Sequence, residues 1–167
     1  RLTLGMLNLG STLSDVAGNY SLTTNVLGIH TITPVKNINR FNGVTAADAT
    51  AIQQHIAGTN VITDPYKKVA ADVNRNGFIT SQDANLILQG LAGNMVALNV
   101  FNVFWRFVPT THVFIVTPPS SVPPFPENIM VNVTGPDVTG QDFYGMKIGD
   151  VNGSADPSLA PTGTPLI

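Results

Sequence analysis

Cysteine is absent from the 167 residues, which excludes disulfides, thiolate metal sites and thiol nucleophiles. Charge is scarce: Asp, Glu, Lys and Arg make up 11% of the chain, against about 25% in an average soluble domain. The formal net charge of −2 argues against a basic nucleic-acid-binding surface and against a polybasic membrane-surface segment. Glu127 is the single glutamate, so a carboxylate pair for glycoside hydrolysis would have to be drawn from Asp. Gly-x-Ser-x-Gly, His-Glu-x-x-His and a phosphate-cradling Gly-Lys-Ser/Thr are all missing. His30, His55 and His112 fall in separate elements, away from metal-ligand spacing, and read as packing or surface residues. No apolar run approaches the roughly 18–20 residues of a membrane helix. The expectation is a non-catalytic protein.

In place of charge stand Asn, Thr, 15 Gly and 12 Pro, a composition of short strands and many turns. The hydrophobic share of 43% is enough for a packed core. A neutral surface rich in Asn and Thr and poor in Lys and Glu points to an extracellular or cell-surface setting. The chain begins at Arg1 without an initiator Met, which suits a processed or excised fragment.

Periodicity divides the chain into residues 1–36 (β strands, an incomplete sandwich), 37–94 (a helical, calcium-binding unit), 95–156 (β, with a Pro-rich connector) and 157–167 (a loose tail). The expected class is mainly β with a small α insert. Strands are expected at Leu2–Leu4, Tyr20–Thr23, Ile29–Val35, Met95–Val108, Thr111–Thr117, Ile129–Thr134 and Phe143–Ile148, with Thr117–Pro126 as an extended, solvent-facing connector.

The middle segment repeats itself. Thr45, Asp48, Ala49, Ile52, Gln54, Ile56, Ala57 and Gly58 recur 35 residues later as Thr80, Asp83, Ala84, Ile87, Gln89, Leu91, Ala92 and Gly93. Each copy is a loop ending in Asp, then a helix of about three turns stopped by Gly. The pairs Ile52/Ile56 and Ile87/Leu91 form one apolar stripe per helix, and the two stripes are expected to face each other.

The loop before the second helix, residues 72–83, has the spacing of a twelve-residue calcium loop. Asp72, Asn74 and Asn76 occupy positions 1, 3 and 5, and Gly77 takes the sharp turn at position 6. Phe78 offers its carbonyl at 7, Thr80 acts at 9 and Asp83 binds at 12. Hard oxygen donors at this spacing suit Ca²⁺. Ile79 at position 8 is expected to pair the loop with its partner loop. The alternative is an Asn-Gly turn before an N-cap. The first loop is degenerate, with Asn37 at 1, Asn39 at 3, Phe41 at 5, Gly43 at 7, Thr45 at 9 and Asp48 at 12. It lacks the side-chain oxygen at 5 and one formal carboxylate. Asp150 and Asn152 repeat the Asp-x-Asn start of the second loop, and either complete the first site or form an ordinary turn. One calcium ion is expected from the second loop, and a second ion is compatible with the first.

Residues 37–93, with paired loop-helix units and Asp at position 12, resemble a type I dockerin. The resemblance implies an extracellular module whose two calcium loops brace two helices that dock onto a cohesin. It also implies partner contacts at loop positions 10 and 11, here Ala46-Ala47 and Ser81-Gln82; the first pair lacks the hydroxyls usual in cohesin binders. The turn Asp15-Val16-Ala17-Gly18-Asn19-Tyr20 and the strand after it resemble the end of a carboxypeptidase-regulatory-like sandwich.

About 35 residues of initial β segment are far short of the roughly 100 of a complete sandwich. The missing strands come from Met95–Ile148 or from a neighbouring molecule, by β-augmentation through Leu2–Leu9 or the tail at Pro165-Leu166-Ile167. The leading expectation is therefore a calcium-stabilised structural subunit of a surface fibre or adhesin-like assembly, joined to copies of itself head to tail. The alternative is a cohesin-binding dockerin module of a secreted, multimodular, carbohydrate-degrading enzyme. A third reading is a carbohydrate-binding module using Trp105. The sequons at Asn19, Asn132 and Asn152 permit N-glycosylation in a competent host.

Overall fold

The computed structural model describes residues 2–4, 10–135 and 137–159. The expected tail from residue 160 onward and most of Leu2–Leu9 lie outside this range. Among the described residues there are six short strands and four helices: β1 (Leu2–Leu4), β2 (Ser11–Thr12), β3 (Gly28–Pro34), α1 (Ala46–Ile56), α2 (Pro65–Ala71), α3 (Ser81–Leu91), α4 (Met95–Val100), β4 (Trp105–Pro109), β5 (Ile129–Val133) and β6 (Phe143–Lys147). None of these helices is long and apolar enough to cross a membrane.

The expected mainly-β class is overturned. The protein is mixed, with more residues in helices than in strands. The described strands form one four-stranded antiparallel sheet, β2-β1-β3-β5, and one two-stranded sheet, β4-β6, and no sandwich. Met95–Val100 is helical because the Asn94 side chain caps it, accepting hydrogen bonds from Val96 N (2.9 Å) and Ala97 N (3.2 Å). Local capping and the helix-forming Met95, Ala97 and Leu98 here outweigh the strand preference of Val96 and Val100. Thr111–Thr117 and Tyr20–Thr23 are irregular.

Two compact units share the chain. The first comprises Arg1–Lys36, Arg106–Val113 and Phe125–Gly145. In it β3 pairs with β5, from Gly28 opposite Val133 to Ile32 opposite Ile129. Ile32 and Val131 form the centre of a small core, covered by Tyr20, Leu22, Val133 and Phe143. The Tyr20 hydroxyl donates to the Gln141 carbonyl. The opposite pleat carries Ile29 and Met130, each 72% exposed, which is why this is a one-sided sheet and not half of a sandwich. Arg106 pairs with Glu127 at 2.6 Å and lies over the Phe125 ring. The turn at Asp15–Asn19 forms as expected, with the Asp15 carboxylate accepting from Ala17 N and Asn19 N.

The second unit comprises Asn37–Trp105, Phe114–Pro124 and Met146–Ile167. Its centre is the packing of α1 on α3. The residues buried on α1 are Asp48, Ala49, Ile52 and His55; those on α3 include Asp83, Ala84, Ile87 and Gly90. These are the same positions 35 residues apart, so the repeat is a repeat of buried faces. The expected stripe is corrected at its far end: Ile52 and Ile87 are fully buried, but Ile56 and Leu91 are 43% and 40% exposed. The inward positions are i, i+1, i+4 and i+7, and these wind with the helix.

Candidate metal centre

Each long helix begins in the same way. Thr45 and Thr80 are extended N-caps, and the Asp three residues on accepts from the N-cap's N–H and hydroxyl. The distances agree, 2.9 and 3.0 Å for Asp48 Oδ2 and 2.9 and 3.0 Å for Asp83 Oδ2. This capping box locks one oxygen of each Asp to its helix and leaves Oδ1 to the loop.

In the loop at 72–83, the predicted ligands come together. Asp72 Oδ1 accepts from Asn76 N (3.0 Å) and Oδ2 from Gly77 N (2.9 Å). Asn74 Oδ1 also accepts from Asn76 N, and Asn76 Oδ1 accepts from Phe78 N at 2.9 Å. Asp83 Oδ1 reaches back across the loop to Asn74 N at 3.2 Å. Gly77 supplies the φ of 87° that the turn requires, and Arg75 also adopts a positive φ of 60°. Asp72 and Asp83 are 1% and 0% exposed. The hydrogen bonds to Asp83 come from backbone N–H groups and the Thr80 hydroxyl, and it forms no ion pair among the described residues. A buried carboxylate without a cationic side chain is costly. The donor set, two carboxylates with amide, hydroxyl and carbonyl oxygens, therefore fits a hard divalent cation such as Ca²⁺. No cluster of three or more His, Cys, Asp or Glu occurs among the described residues, as expected of a site with only two carboxylates.

The outer edge of this loop is held by the Pro-rich connector. Ile79 N donates to Ser120 O at 2.8 Å, and Val122 N to Gly77 O at 2.9 Å. The expected contact of Ile79 with the first loop is thus replaced, and the connector is not merely solvent-facing. Buried Lys68, on α2, pins the same segment, its Nζ donating to Thr117 O, Thr117 Oγ1, Pro118 O and Ser121 O. Burial lowers the Lys68 pKa.

The first loop is arranged differently. Asn37 Oδ1 accepts from Phe104 N (3.1 Å), and Asn39 Nδ2 donates to Leu159 O (3.0 Å). The Phe41 ring packs on Phe101, with centroids 5.5 Å apart. Positions 1, 3 and 5 of the contiguous loop are thus engaged elsewhere in the unit. Gly43, Thr45 and Asp48 remain, and beside them lies Asp150–Ala155. Asp48 Oδ1 accepts from Val151 N (2.9 Å) and Asn152 N (3.1 Å), and Ser154 Oγ donates to Gly43 O (3.0 Å). The segment containing Asp150 and Asn152 does fold back onto the first loop. Ser154 was not among the expected site residues; its signal is its place two residues after Asn152, in Asp-x-Asn-x-Ser.

Trp105 is buried, with the Lys147 ammonium 6.0 Å from its ring centre, so it offers no sugar-stacking platform. Lys147 Nζ donates to the carbonyls of Arg40 and Phe104, and burial brings its pKa down to about 8. The sequon residues Asn19, Asn132 and Asn152 are all exposed.

Two loop–helix units, each with an Asp tied to the start of its helix and packed face to face, define a class of paired-loop module. Residues 38–92 match the family model described as the dockerin type I domain, about a third of the chain. No curated protein and no solved structure matches the chain.

Proposed function

We propose that residues 37–93 form a calcium-stabilised, cohesin-binding dockerin module that attaches this protein to an extracellular or cell-surface assembly. The observation that supports the reading is the loop at 72–83, where Asp72, Asn74, Asn76, Thr80 and Asp83 are joined by hydrogen bonds just before a helix, inside the segment matched by the dockerin family. Asp72, Asn74, Asn76, Phe78, Thr80 and Asp83 would hold Ca²⁺, which neutralises the buried carboxylates and fixes the start of α3. The module is a non-catalytic interaction domain on this reading.

The exposed ends of the helices serve as the docking face. Ser81 and Gln82 begin α3 and are exposed, with half-exposed Leu88 and Leu91 further along the same helix. Ala46 and Ala47 at the start of α1 are also exposed but offer no hydrogen-bonding side chain. Docking is therefore expected through the α3 end. The fibre reading has less support, because β3 is flanked by β1 and β5 of its own chain and that strand needs no donated partner.

The test is calorimetric titration against a panel of cohesin domains, with calcium and with EGTA. Calcium-dependent binding to at least one cohesin, weakened about tenfold or more by Ser81→Ala with Gln82→Ala, supports the proposal. Absence of binding across the panel in saturating calcium, together with self-association that grows with concentration, would return the fibre reading to first place.

A further inference from the structure

Three of the hydrogen bonds that close the loop at 72–83 recur around Asp48 and Asp150, made there by two separate pieces of chain. In the second loop the first Asp accepts from the N–H groups four and five residues ahead, Asn76 and Gly77. Asp150 does the same: Oδ1 accepts from Ser154 N (3.0 Å) and Oδ2 from Ala155 N (2.8 Å). In the second loop the last Asp, Asp83, accepts through Oδ1 from the N–H of the third residue, Asn74. Asp48 Oδ1 accepts from Asn152 N, the third residue counted from Asp150. The second residues, Val73 and Val151, are buried alike at 1% and 4% exposure.

The two pieces also meet where the loop would be continuous. Counted from Asp150, Ala155 is residue 6; counted back from Asp48, Gly43 is residue 7. A Cβ on Gly43 would lie 2.4 Å from Ala155 N, and Gly43 has a φ of 73°, so only glycine permits this approach. The Ser154 hydroxyl, at position 5, donates to the Gly43 carbonyl at position 7. Asp48 and Asp150 are 0% and 6% exposed, and neither forms an ion pair among the described residues. Two buried carboxylates meeting on one segment, with the single Lys147 ammonium near Asp150, keep an excess of negative charge that a divalent cation would relieve.

We infer that the protein has a second, discontinuous calcium site, assembled from Asp150, Asn152 and Ser154 of the C-terminal segment and from the Gly43 carbonyl and Asp48 of the first repeat. Asn37 and Asn39 of the contiguous first loop take no part. The C-terminal segment thereby becomes a clasp: calcium ties it to the start of α1. This inference rests on the calcium reading of the loop at 72–83, and the experiment separates the two.

The measurement is calcium content of the full chain by elemental mass spectrometry after equilibrium dialysis, with circular dichroism to verify folding. Two ions per chain are expected for the wild type, one for Asp150→Asn and one for Asp83→Ala. The double variant Asn37→Ala/Asn39→Ala keeps two. Ser154→Ala, which removes an oxygen without touching the backbone, weakens one of the two ions about tenfold and covers the case in which Asp150→Asn fails to fold. Two ions retained in folded Asp150→Asn, or one lost in Asn37→Ala/Asn39→Ala, overturns the discontinuous site alone. A wild type with one ion that Asp83→Ala removes also overturns it and leaves the second loop standing. A wild type without calcium overturns both.

Discussion

The two halves of the helical unit share one architecture and differ in how their loops are made. Around α3 the chain runs once through Asp72–Asp83, and the carboxylates of Asp72 and Asp83 accept from N–H groups of those same twelve residues. Around α1 the last part of the loop, Gly43–Asp48, is equally ordered, but its opening residues turn away. Phe41 goes into the packing against Phe101 and Gly90, and Asp150–Ala155 arrives from over a hundred residues later. The part that defines the helix, Thr N-cap and Asp at N3, is retained in both halves. A buried, capped carboxylate thus demands a complementary run of N–H groups, and the protein meets that demand with local chain in one half and remote chain in the other.

The sharpest way to break this comparison is to remove the closing carboxylate of each half. Asp83→Ala and Asp48→Ala should each cost about 4 kcal/mol in calcium, from the lost capping box and from buried N–H groups left without an acceptor. Denaturant melts read this, and a loss under about 1 kcal/mol for Asp48→Ala would mean that the remote clasp contributes little. Chelation comes next. If calcium binds only the folded state, EGTA should remove about 2.7 kcal/mol per ion at a free calcium of a hundred times Kd. The melting midpoint would fall by roughly 5–10 °C per ion for a chain of this size, and an unchanged midpoint would dispose of structural calcium.

Phe41→Asn restores a side-chain oxygen to the contiguous first loop. It should destabilise by about 2 kcal/mol through lost packing and add no ion; an extra ion in dialysis would show that the contiguous loop is competent after all. The glycines sharpen the contrast further. Gly77→Ala meets only the positive φ, with open space around its Cβ, and should cost about 1 kcal/mol. Gly43→Ala meets the same backbone penalty and the Ala155 backbone besides, and should cost roughly 2 kcal/mol. Equal losses would contradict the close approach of the clasp.

The smallest effect concerns pH. His55 of α1 stands where α3 has Gly90, buried, with Nδ1 accepting from Ile62 N at 3.0 Å. Burial holds its pKa below the ordinary 6.5, so the unfolded chain takes up the proton first. Stability from neutral His55 is therefore full above about pH 6.5 and declines as the pH falls below it. His55→Gln should flatten this part of the profile, and a variant whose stability falls as steeply as wild type between neutral and mildly acid pH would assign the decline to other groups.

Much of the helical unit was legible in the chain itself. The 35-residue offset named both N-caps, both N3 aspartates and the buried Ile52 and Ile87, because helix capping and helical burial are short-range demands written into neighbouring residues. The loop at 72–83 was legible for the same reason. The sandwich was not there to be found. Alternating residues such as those of β3 announce a one-sided sheet as readily as half of a sandwich, and whether a second sheet covers the exposed Ile29 and Met130 is not encoded in local periodicity. Met95–Val100 was misread because the strand preference of Val96 and Val100 was weighed above the helix-forming Met95, Ala97 and Leu98 and the capping residue Asn94.

What the sequence determined by itself is therefore the scarcity of charge and cysteine, the repeat, and within each copy the cap and the loop before it, whose residues lie within a dozen positions of one another. Only the tertiary structure decided the rest: that β3 pairs with β5 across the inserted helices, that the Pro-rich connector holds the loop at 72–83, and that Asp150–Ala155 lies against Asp48. Those contacts join residues far apart in the chain, where closing the intervening segment is paid by burial and hydrogen bonding summed over the whole unit. No local pattern carries that sum.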